Sequence, residues 1–131
     1  MATLTPAQAE LFKEANYAVL TTLRADGSPH NTVIWLELDG DGISFNTAAG
    51  RAKPRHIERD GRVSVTIVKE PYKWVSVTGR ATMTTDGADD QIDRLAKKYL
   101  GEDKYPWRAE GEVRLSVRIA IDKIDAFGLE G

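Results

Sequence analysis

The chain of 131 residues contains no cysteine. This absence excludes disulfide bonds, thiolate nucleophiles and thiolate metal sites. Only two histidines are present, His30 and His56, and no ligand spacing typical of zinc surrounds them. An acidic cluster at Asp89, Asp90 and Asp93 falls where a helix is predicted to begin, so the helix dipole explains it better than a metal does. No metal site is therefore predicted.

Long apolar runs are also missing, because charges or glycines interrupt every hydrophobic stretch before the ~18 residues needed to span a bilayer. The first residues lack the basic and then apolar pattern of a secretory signal. The formal charge of -2 and the pI near 5.7 lack the basic excess of a general nucleic-acid or membrane-surface binder. We therefore expect a cytoplasmic protein with neither nucleic-acid nor membrane partners.

The sequence has none of the common catalytic signatures. It contains no nucleophile elbow, no phosphate loop of the nucleotide-hydrolase type and no G-x-G-x-x-G dinucleotide fingerprint. No catalytic side chain is therefore assigned from the sequence.

What is present is β-strand patterning within a length that fits one domain, residues 1–131. Hairpin turns are predicted at 25–29 and 39–42, and Gly79 is predicted to mark a bulge or a close backbone approach. With few helices and no strict βαβ alternation, the pattern predicts a mainly β fold with short helices, a small six-stranded antiparallel barrel. The predicted strands are 17–23, 30–38, 43–47, 63–68, 74–85 and 113–121.

Short helices are predicted between these strands. Thr5 suits an N-cap, with Gln8 placed to close a capping box. Residues 86–100 carry apolar side chains on one face of a second helix.

A basic stretch follows the third predicted strand. Arg51, Lys53 and Arg55 are predicted to alternate along extended backbone, and Pro54 to open a short helix. The free amides and the positive dipole end at a helix N-terminus suit a phosphate or another oxyanion. The same residues also fit a solvated basic turn on a protein of nearly neutral charge.

One face of the segment 30–38 carries Asn31, Val33 and Trp35, opposite a face that is predicted to join the core. This face fits a pocket floor, an interface or a half-exposed barrel wall. Trp74 lies at the mouth of the predicted barrel. An anion site beside such aromatic residues is typical of a protein that holds a flat phosphorylated cofactor and leaves the reaction to it.

Three stretches carry a resemblance to a known family: 17–30 (YAVLTTLRADGSPH), 46–55 (NTAAGRAKPR) and 74–81 (WVSVTGRA). In order and spacing they resemble the flavin/deazaflavin oxidoreductases with a pyridoxamine-phosphate-oxidase-like split β-barrel, of the FMN-binding split barrel type. The short chain and its Arg-Ala-Lys motif look most like the branch that uses coenzyme F420, a 5-deazaflavin with a phosphate and a glutamate tail.

The resemblance implies a homodimer with two cofactor sites at the interface. It implies that Arg51 and Lys53 hold the cofactor phosphate, that Arg55 assists them or meets the tail carboxylate, and that Trp74 of the partner subunit walls the substrate pocket. The further cofactor-binding residues that it implies are Asn46 and Thr47 at the phosphate and Asn31, Val33 and Trp35 along the ring.

The activity implied is that of an F420-dependent oxidoreductase, in which hydride passes from C5 of the reduced cofactor to an unsaturated or conjugated small-molecule acceptor. An FMN-binding oxidoreductase of the same fold is the alternative. A non-catalytic carrier of a flavin, deazaflavin or haem would use the same binding residues, and a structural protein with a vestigial site is a further alternative.

Overall fold

The computed structural model describes residues 2–129, which form seven strands and three helices. Strands therefore dominate, as the sequence predicts. The elements are α1 (Pro6–Lys13), β1 (Ala18–Leu23), β2 (Pro29–Ile34), β3 (Leu36–Asp39), β4 (Gly42–Ala48), α2 (Ala52–Arg59), β5 (Arg62–Glu70), β6 (Lys73–Thr84), α3 (Ala88–Leu100) and β7 (Arg114–Phe127).

All neighbouring strands pair antiparallel, in the order β2-β1-β5-β6-β7-β4-β3. The two edge strands, β2 and β3, are consecutive in the chain and are separated only by Trp35. Within the described residues β2 and β3 do not pair with each other, so the sheet is not closed by hydrogen bonds.

The prediction of six strands, with 30–38 as a single strand, is wrong. Ile34 pairs with Ala18 of β1, whereas Leu36 pairs with Phe45 of β4. The residues on either side of Trp35 thus belong to opposite edges of the sheet. A straight strand cannot satisfy both partners, so the ladder breaks at Trp35.

The concave side of the sheet holds the core. Leu20, Val65, Val77 and Ile119 from four strands are each 0 % exposed. Helix α1 adds Leu11 and Phe12 to the same cluster. Its capping box is as predicted, because Gln8 N donates to Thr5 Oγ1 and Thr5 N donates to Gln8 Oε1, at 3.2 and 3.0 Å.

Gly79 marks an irregularity, as the sequence predicts. The register of β6 against β7 shifts between Thr78 and Gly79. A Cβ at Gly79 would overlap the carbonyl oxygen of Ala120. Only glycine therefore lets the two backbones approach at this point.

Helix α2 starts earlier than the sequence predicts. Arg51 is the N-cap with extended backbone, Lys53 is already helical, and Pro54 is the third helical residue. The first turn of a helix tolerates proline because its N–H groups have no partner within the helix. The prediction that Pro54 opens the helix and that Lys53 is extended is therefore wrong, while the three cations still surround a helix N-terminus.

Helix α3 is anchored to the start of β3. The Lys98 ammonium donates to the carbonyl oxygens of Phe12 and Leu36, at 2.5 and 2.6 Å. The Tyr99 hydroxyl donates to Asn16 O at 2.8 Å and accepts from Leu36 N at 3.3 Å. At 13 residues, α3 is the longest helix described, and no helix in 2–129 has the length and hydropathy to cross a membrane.

Lys98 should make stability depend on pH. Burial lowers the pKa of Lys98 to about 8, from the usual 10.5. Between these values the unfolded chain binds more protons than the folded one, so the free energy of unfolding should rise with pH across this interval.

The rise should be smaller in Lys98→Met and unchanged in Lys97→Met, whose side chain is exposed. Urea unfolding followed by circular dichroism between pH of about 7 and 10 measures it. The same slope in wild type and Lys98→Met would contradict the assignment.

Candidate functional site

A cavity of about 170 Å³ lies where α2 begins, between β4, α3 and the break at Trp35. Five of the sequence-predicted residues meet there. They are Val33, Trp35, Asn46, Arg51 and Lys53, and the other lining residues are Ile34, Ile92, Leu95, Tyr105, Trp107 and Arg114.

Asn31 and Thr47 do not line this cavity. Asn31 is exposed on β2 and accepts a hydrogen bond from Thr21 Oγ1 at 2.5 Å. Thr47 is 1 % exposed, and its hydroxyl has no hydrogen-bond partner among residues 2–129. Alternation along β4 turns Thr47 away from the face that carries Asn46.

Arg55 and Trp74 also lie outside the cavity. Arg55 Nη1 donates to the carbonyl oxygen of Gly50 at 3.0 Å. Trp74 stacks on Phe127, with ring centroids 6.4 Å apart, and lines a separate groove with Val68. Within one chain, Trp74 is therefore not part of the cavity wall.

Lys53 is the least compensated cation of the cavity. Its side chain is partly buried in the first turn of α2, and no carboxylate of the described chain pairs with it. Burial lowers the pKa of Lys53, and the charges of Arg51 and Arg114 lower it further. An anion placed here would relieve this repulsion.

Arg114 is a functional candidate that the sequence reasoning missed. It is 4 % exposed, its Nε donates to Asn46 Oδ1 at 2.8 Å, and its Nη1 donates to Glu112 Oε1 at 2.5 Å. The guanidinium also lies 5.1 Å from the centre of the Tyr105 ring, a cation–π distance. A buried arginine with three kinds of partner is held in one position.

Glu112 is the counter-ion of this group. Beside its contact with Arg114, its Oε2 lies 3.7 Å from Arg51 Nη2. The hydrogen bond from Arg114 is the main cause that lowers the pKa of Glu112. Three cations, Arg51, Lys53 and Arg114, thus face one carboxylate, and two positive charges remain for a ligand.

The polar atoms of Asn46 bond to the protein and are not free to bind a ligand. Its Nδ2 donates to Ala88 O and Gln91 Oε1, at 2.8 and 2.9 Å, while its Oδ1 accepts from Arg114. Gln91 continues the network to Glu37 at 3.2 Å. Both amide hydrogens of Asn46 are therefore engaged, and its role here is to hold Arg114 in place.

An aromatic wall faces the cations. Trp35 stacks on Tyr99, with centroids 5.5 Å apart and planes 7° apart. Tyr105 meets Trp35 edge-on at 6.2 Å, and Trp107 lies tilted against Trp35, also at 6.2 Å. The wall offers a flat apolar surface to a planar ring.

The donor set fits a planar phosphorylated cofactor. Arg51 and Lys53 at the N-terminus of α2 suit a phosphate, and the Trp35 indole of the aromatic wall suits a conjugated ring. The volume of about 170 Å³ is smaller than the ~300 Å³ at the low end of ligand pockets, so one chain alone does not enclose such a molecule. Val33 also lines a neighbouring groove of about 400 Å³ with Tyr17 and Val19, which extends the site across the sheet.

The two histidines meet away from this cavity. Their rings stand edge to face with centroids 5.0 Å apart, and His56 Nδ1 shares a hydrogen bond of 2.8 Å with Thr22 Oγ1. Burial is the main cause that lowers the pKa of His56. Within residues 2–129, no group of three or more His, Cys, Asp or Glu side chains is placed to hold a metal.

Comparison with known proteins adds evidence of a different kind. The family model for pyridoxamine 5'-phosphate oxidase matches residues 4–126. An F420H(2)-dependent biliverdin reductase of Mycobacterium tuberculosis (strain CDC 1551 / Oshkosh) is 31% identical over 106 residues, which are 78% of this chain and 77% of the reductase. A pyridoxine/pyridoxamine 5'-phosphate oxidase of Pseudomonas entomophila (strain L48) is 30% identical over 118 residues, which are 88% of this chain and 52% of the oxidase.

The chain thus spans about half the length of that oxidase. Among solved structures, an F420 reductase superposes with a TM-score of 0.83 at 21% identity, covering 93% of this chain and 98% of the other. At this identity the match shows the fold alone. That fold agrees with the split-barrel resemblance of the sequence.

Removing the charge of Glu112 should strengthen anion binding. In Glu112→Gln the amide oxygen still accepts from Arg114, while the carboxylate no longer competes for Arg51. A unit charge about 7 Å from a phosphate contributes on the order of 1 kcal/mol at intermediate dielectric, so inorganic phosphate should bind roughly three- to tenfold tighter.

Calorimetric titration at low ionic strength measures this affinity, and Glu110→Gln, at an exposed position nearby, is the matched control. Unchanged or weaker phosphate binding in Glu112→Gln would show that Glu112 does not balance the charge of an anion site.

Proposed function

Because the chain belongs to the pyridoxamine 5'-phosphate oxidase family, we propose that it is an F420-dependent reductase of an unsaturated or conjugated small-molecule acceptor. The family and the matched relatives support an oxidoreductase with a flavin or deazaflavin cofactor at the coarser level. The observation that carries the finer proposal is the excess of positive charge at the N-terminus of α2, where three cations face one carboxylate directly beside the aromatic wall.

Arg51 and Lys53 would bind the cofactor phosphate. Arg51 is about half exposed at the cavity rim, and Lys53 lies deeper without a counter-ion in the described chain. Arg114 adds a fixed positive charge behind them while it remains bonded to Glu112. Unpaired helix amides and cations together suit a phosphate group.

Val33 and Trp35 would line the ring. Trp35 stacks on Tyr99 and meets Tyr105 at nearly a right angle, so its indole has little freedom to turn. A fixed flat surface orients a bound ring against the acceptor and keeps water from that face. When bound, reduced F420 supplies the hydride.

No proton donor is assigned to the reaction. Glu112 lies next to the cavity, but its contact with Arg114 lowers the pKa of the carboxyl and keeps it ionised near neutral pH. Solvent would therefore supply the proton that the reduced acceptor needs.

A homodimer is part of the proposal. An exposed apolar row crosses the convex side of the sheet, with Val33 opposite Val19 and Val68 opposite Trp74. Val33 is 65 % exposed, Val68 is 46 % exposed and Phe127, which pairs with Trp74, is 55 % exposed, whereas Trp74 itself is partly buried. A second copy of the chain on this row would bury it, and Trp74 of the partner subunit would then wall the acceptor side.

FMN is the alternative cofactor. The match to the Pseudomonas entomophila oxidase favours it, because the pyridoxamine-phosphate-oxidase-like enzymes of this fold are FMN-binding. The cation pair at α2 would hold the phosphate of FMN equally well. The two cofactors differ in the glutamate tail, which only F420 carries.

Replacing both cations should abolish cofactor binding. Each charge-assisted hydrogen bond that is lost costs about 1.5–3 kcal/mol, so Arg51→Ala with Lys53→Ala should weaken F420 binding by more than a hundredfold. Arg59→Ala, on the last turn of the same helix, is the control and should leave the affinity unchanged.

Titration of F420 and FMN into the purified protein, followed by fluorescence, gives both affinities. Tight binding of FMN with no binding of F420 would select the alternative cofactor. F420 that binds tightly, but whose reduced form is never oxidised by enones, quinones or tetrapyrroles on the protein, would instead indicate a carrier. Full affinity in the double variant would remove the proposed anion site.

A charge within the apolar row should break the dimer. Val68→Glu places a carboxylate at a position that is 46 % exposed in one chain, where the charge should reduce the folding stability of a monomer only slightly. Buried in a dimer interface without a partner, the same charge is strongly unfavourable.

We expect wild type to sediment as a dimer and Val68→Glu as a folded monomer in analytical ultracentrifugation. Tyr72→Glu, in the nearby turn between β5 and β6, is the control for added charge at an exposed aromatic position. A monomeric wild type would contradict the proposed dimer.

A further inference from the structure

The segment between α3 and β7, residues 101–113, contains no helix or strand, yet it places two aromatic rings at the cavity. Tyr105 and Trp107 stand edge to face with centroids 5.9 Å apart. Both also contact Trp35. An irregular segment needs specific anchors to hold such an arrangement.

Asp93 of α3 is the principal anchor. Its Oδ1 accepts from the backbone N–H of Tyr105 at 2.9 Å, and its carboxylate pairs with Lys104 and Arg108, at 3.4 and 3.6 Å. Arg108 also pairs with Asp89 at 2.8 Å. The acidic cluster that starts α3 therefore has a second role beside the helix dipole, which is to hold this segment.

The two rings come from a different part of the chain than the phosphate-binding side chains. Arg51 and Lys53 lie at the start of α2 and Asn46 lies on β4, whereas Tyr105 and Trp107 lie between α3 and β7. Trp107 lies at the rim and is 62 % exposed. The exposed surface of this indole is therefore available to bind a ligand that enters the cavity from solvent.

The two rings and Trp35 form an angled corner. The Tyr105 plane is 88° from the Trp35 plane, and the Trp107 plane is 39° from it. A conjugated acceptor of several linked rings can lie against Trp107 and Trp35 with different parts, because the two ring centres are 6.2 Å apart, whereas a single-ring enone covers only one of them. The corner thus favours extended conjugated acceptors.

We propose that Tyr105 and Trp107 form the acceptor wall of the cavity, that Asp93 is the positioning residue of this wall, and that the wall selects extended conjugated acceptors. The inference rests on the proposed reductase function. It assigns acceptor selection to two rings that are distinct from the phosphate-binding cations Arg51 and Lys53.

Trp107→Ala tests the wall. Biliverdin serves as the extended acceptor and cyclohex-2-enone as the small one. Loss of one aromatic contact should raise the KM for biliverdin roughly three- to tenfold, with kcat and the KM for cyclohex-2-enone unchanged. The Kd for F420 should stay within about twofold of wild type, because the phosphate contacts persist.

A binding measurement that needs no turnover accompanies the kinetics. Biliverdin titrated into cofactor-free protein should quench tryptophan fluorescence with saturation, and its Kd should rise in Trp107→Ala by the same factor as the KM. Tyr72→Ala removes an aromatic side chain that is 75 % exposed in the turn between β5 and β6, and is the matched control.

Asp93 is tested by graded replacement. Asp93→Asn keeps an oxygen acceptor for Tyr105 N but loses the charge that pairs with Lys104 and Arg108, whereas Asp93→Ala loses both. The KM for biliverdin should rise more in Asp93→Ala than in Asp93→Asn. Combined with Trp107→Ala, Asp93→Ala should add little further, since both act through the same wall.

Four results would overturn the inference. An unchanged KM and Kd for biliverdin in Trp107→Ala would show that the rings do not contact the acceptor. A Kd for F420 that weakens as much as the KM would assign the rings to the cofactor, while leaving the reductase function intact. Additive effects of Asp93→Ala and Trp107→Ala would show that Asp93 does not act through the wall. Failure of wild type to bind F420 or FMN would remove the proposed function and, with it, the basis of the inference.

Discussion

The buried guanidinium of Arg114 is the contact on which the candidate site depends. A charge that is 4 % exposed is costly unless it is fully paired, and this one is paired on three sides: Glu112, Asn46 and the face of Tyr105. Through these partners it joins β7 to β4, and to the irregular segment that follows α3. Arg114 therefore helps to fix the positions of both the phosphate-binding half and the aromatic half of the site.

The single carboxylate of the site, Glu112, does not balance the three cations equally, because its position in the chain brings it closer to some of them. Glu112 lies two residues from Arg114 and within reach of Arg51, so it compensates the cations nearest β7. Lys53, in the first turn of α2, has no such partner in the described chain. The electrostatic field is thus strongest where a helix N-terminus also presents free amides, and both effects favour the same anion.

Local patterns predicted much of the fold and part of the site. The capping box at Thr5, the close approach at Gly79 and the antiparallel hairpins follow from side-chain chemistry within a few residues. Arg51 and Lys53 could also be predicted as candidate site residues, because a helix start and a cluster of cations are both visible in the sequence. These features need no knowledge of distant contacts.

The missed features depend on residues far apart in the chain. Alternation along β7 places Arg114 on a polar face, and only the packing of α3 and the 101–113 segment buries it. The break at Trp35 is set by two partner strands, β1 and β4, that no local pattern connects. The sequence predicts Trp74 at the mouth of a barrel, whereas in the structure its ring stacks on Phe127 and lies outside the cavity.

The single residue between β2 and β3 has a consequence for how chain length can vary. The registers of β2 and β3 are set separately by β1 and β4, so an inserted residue at this connection would have to be absorbed beside Trp35 itself and would displace the indole from Tyr99 and from the cavity. The 101–113 segment is longer and its anchors are at Tyr105, Arg108 and Glu112, so residues can be gained or lost between these anchors without moving them. The fold therefore reaches its cavity through one connection with no spare residue and one with several, and insertion is tolerated better in the second.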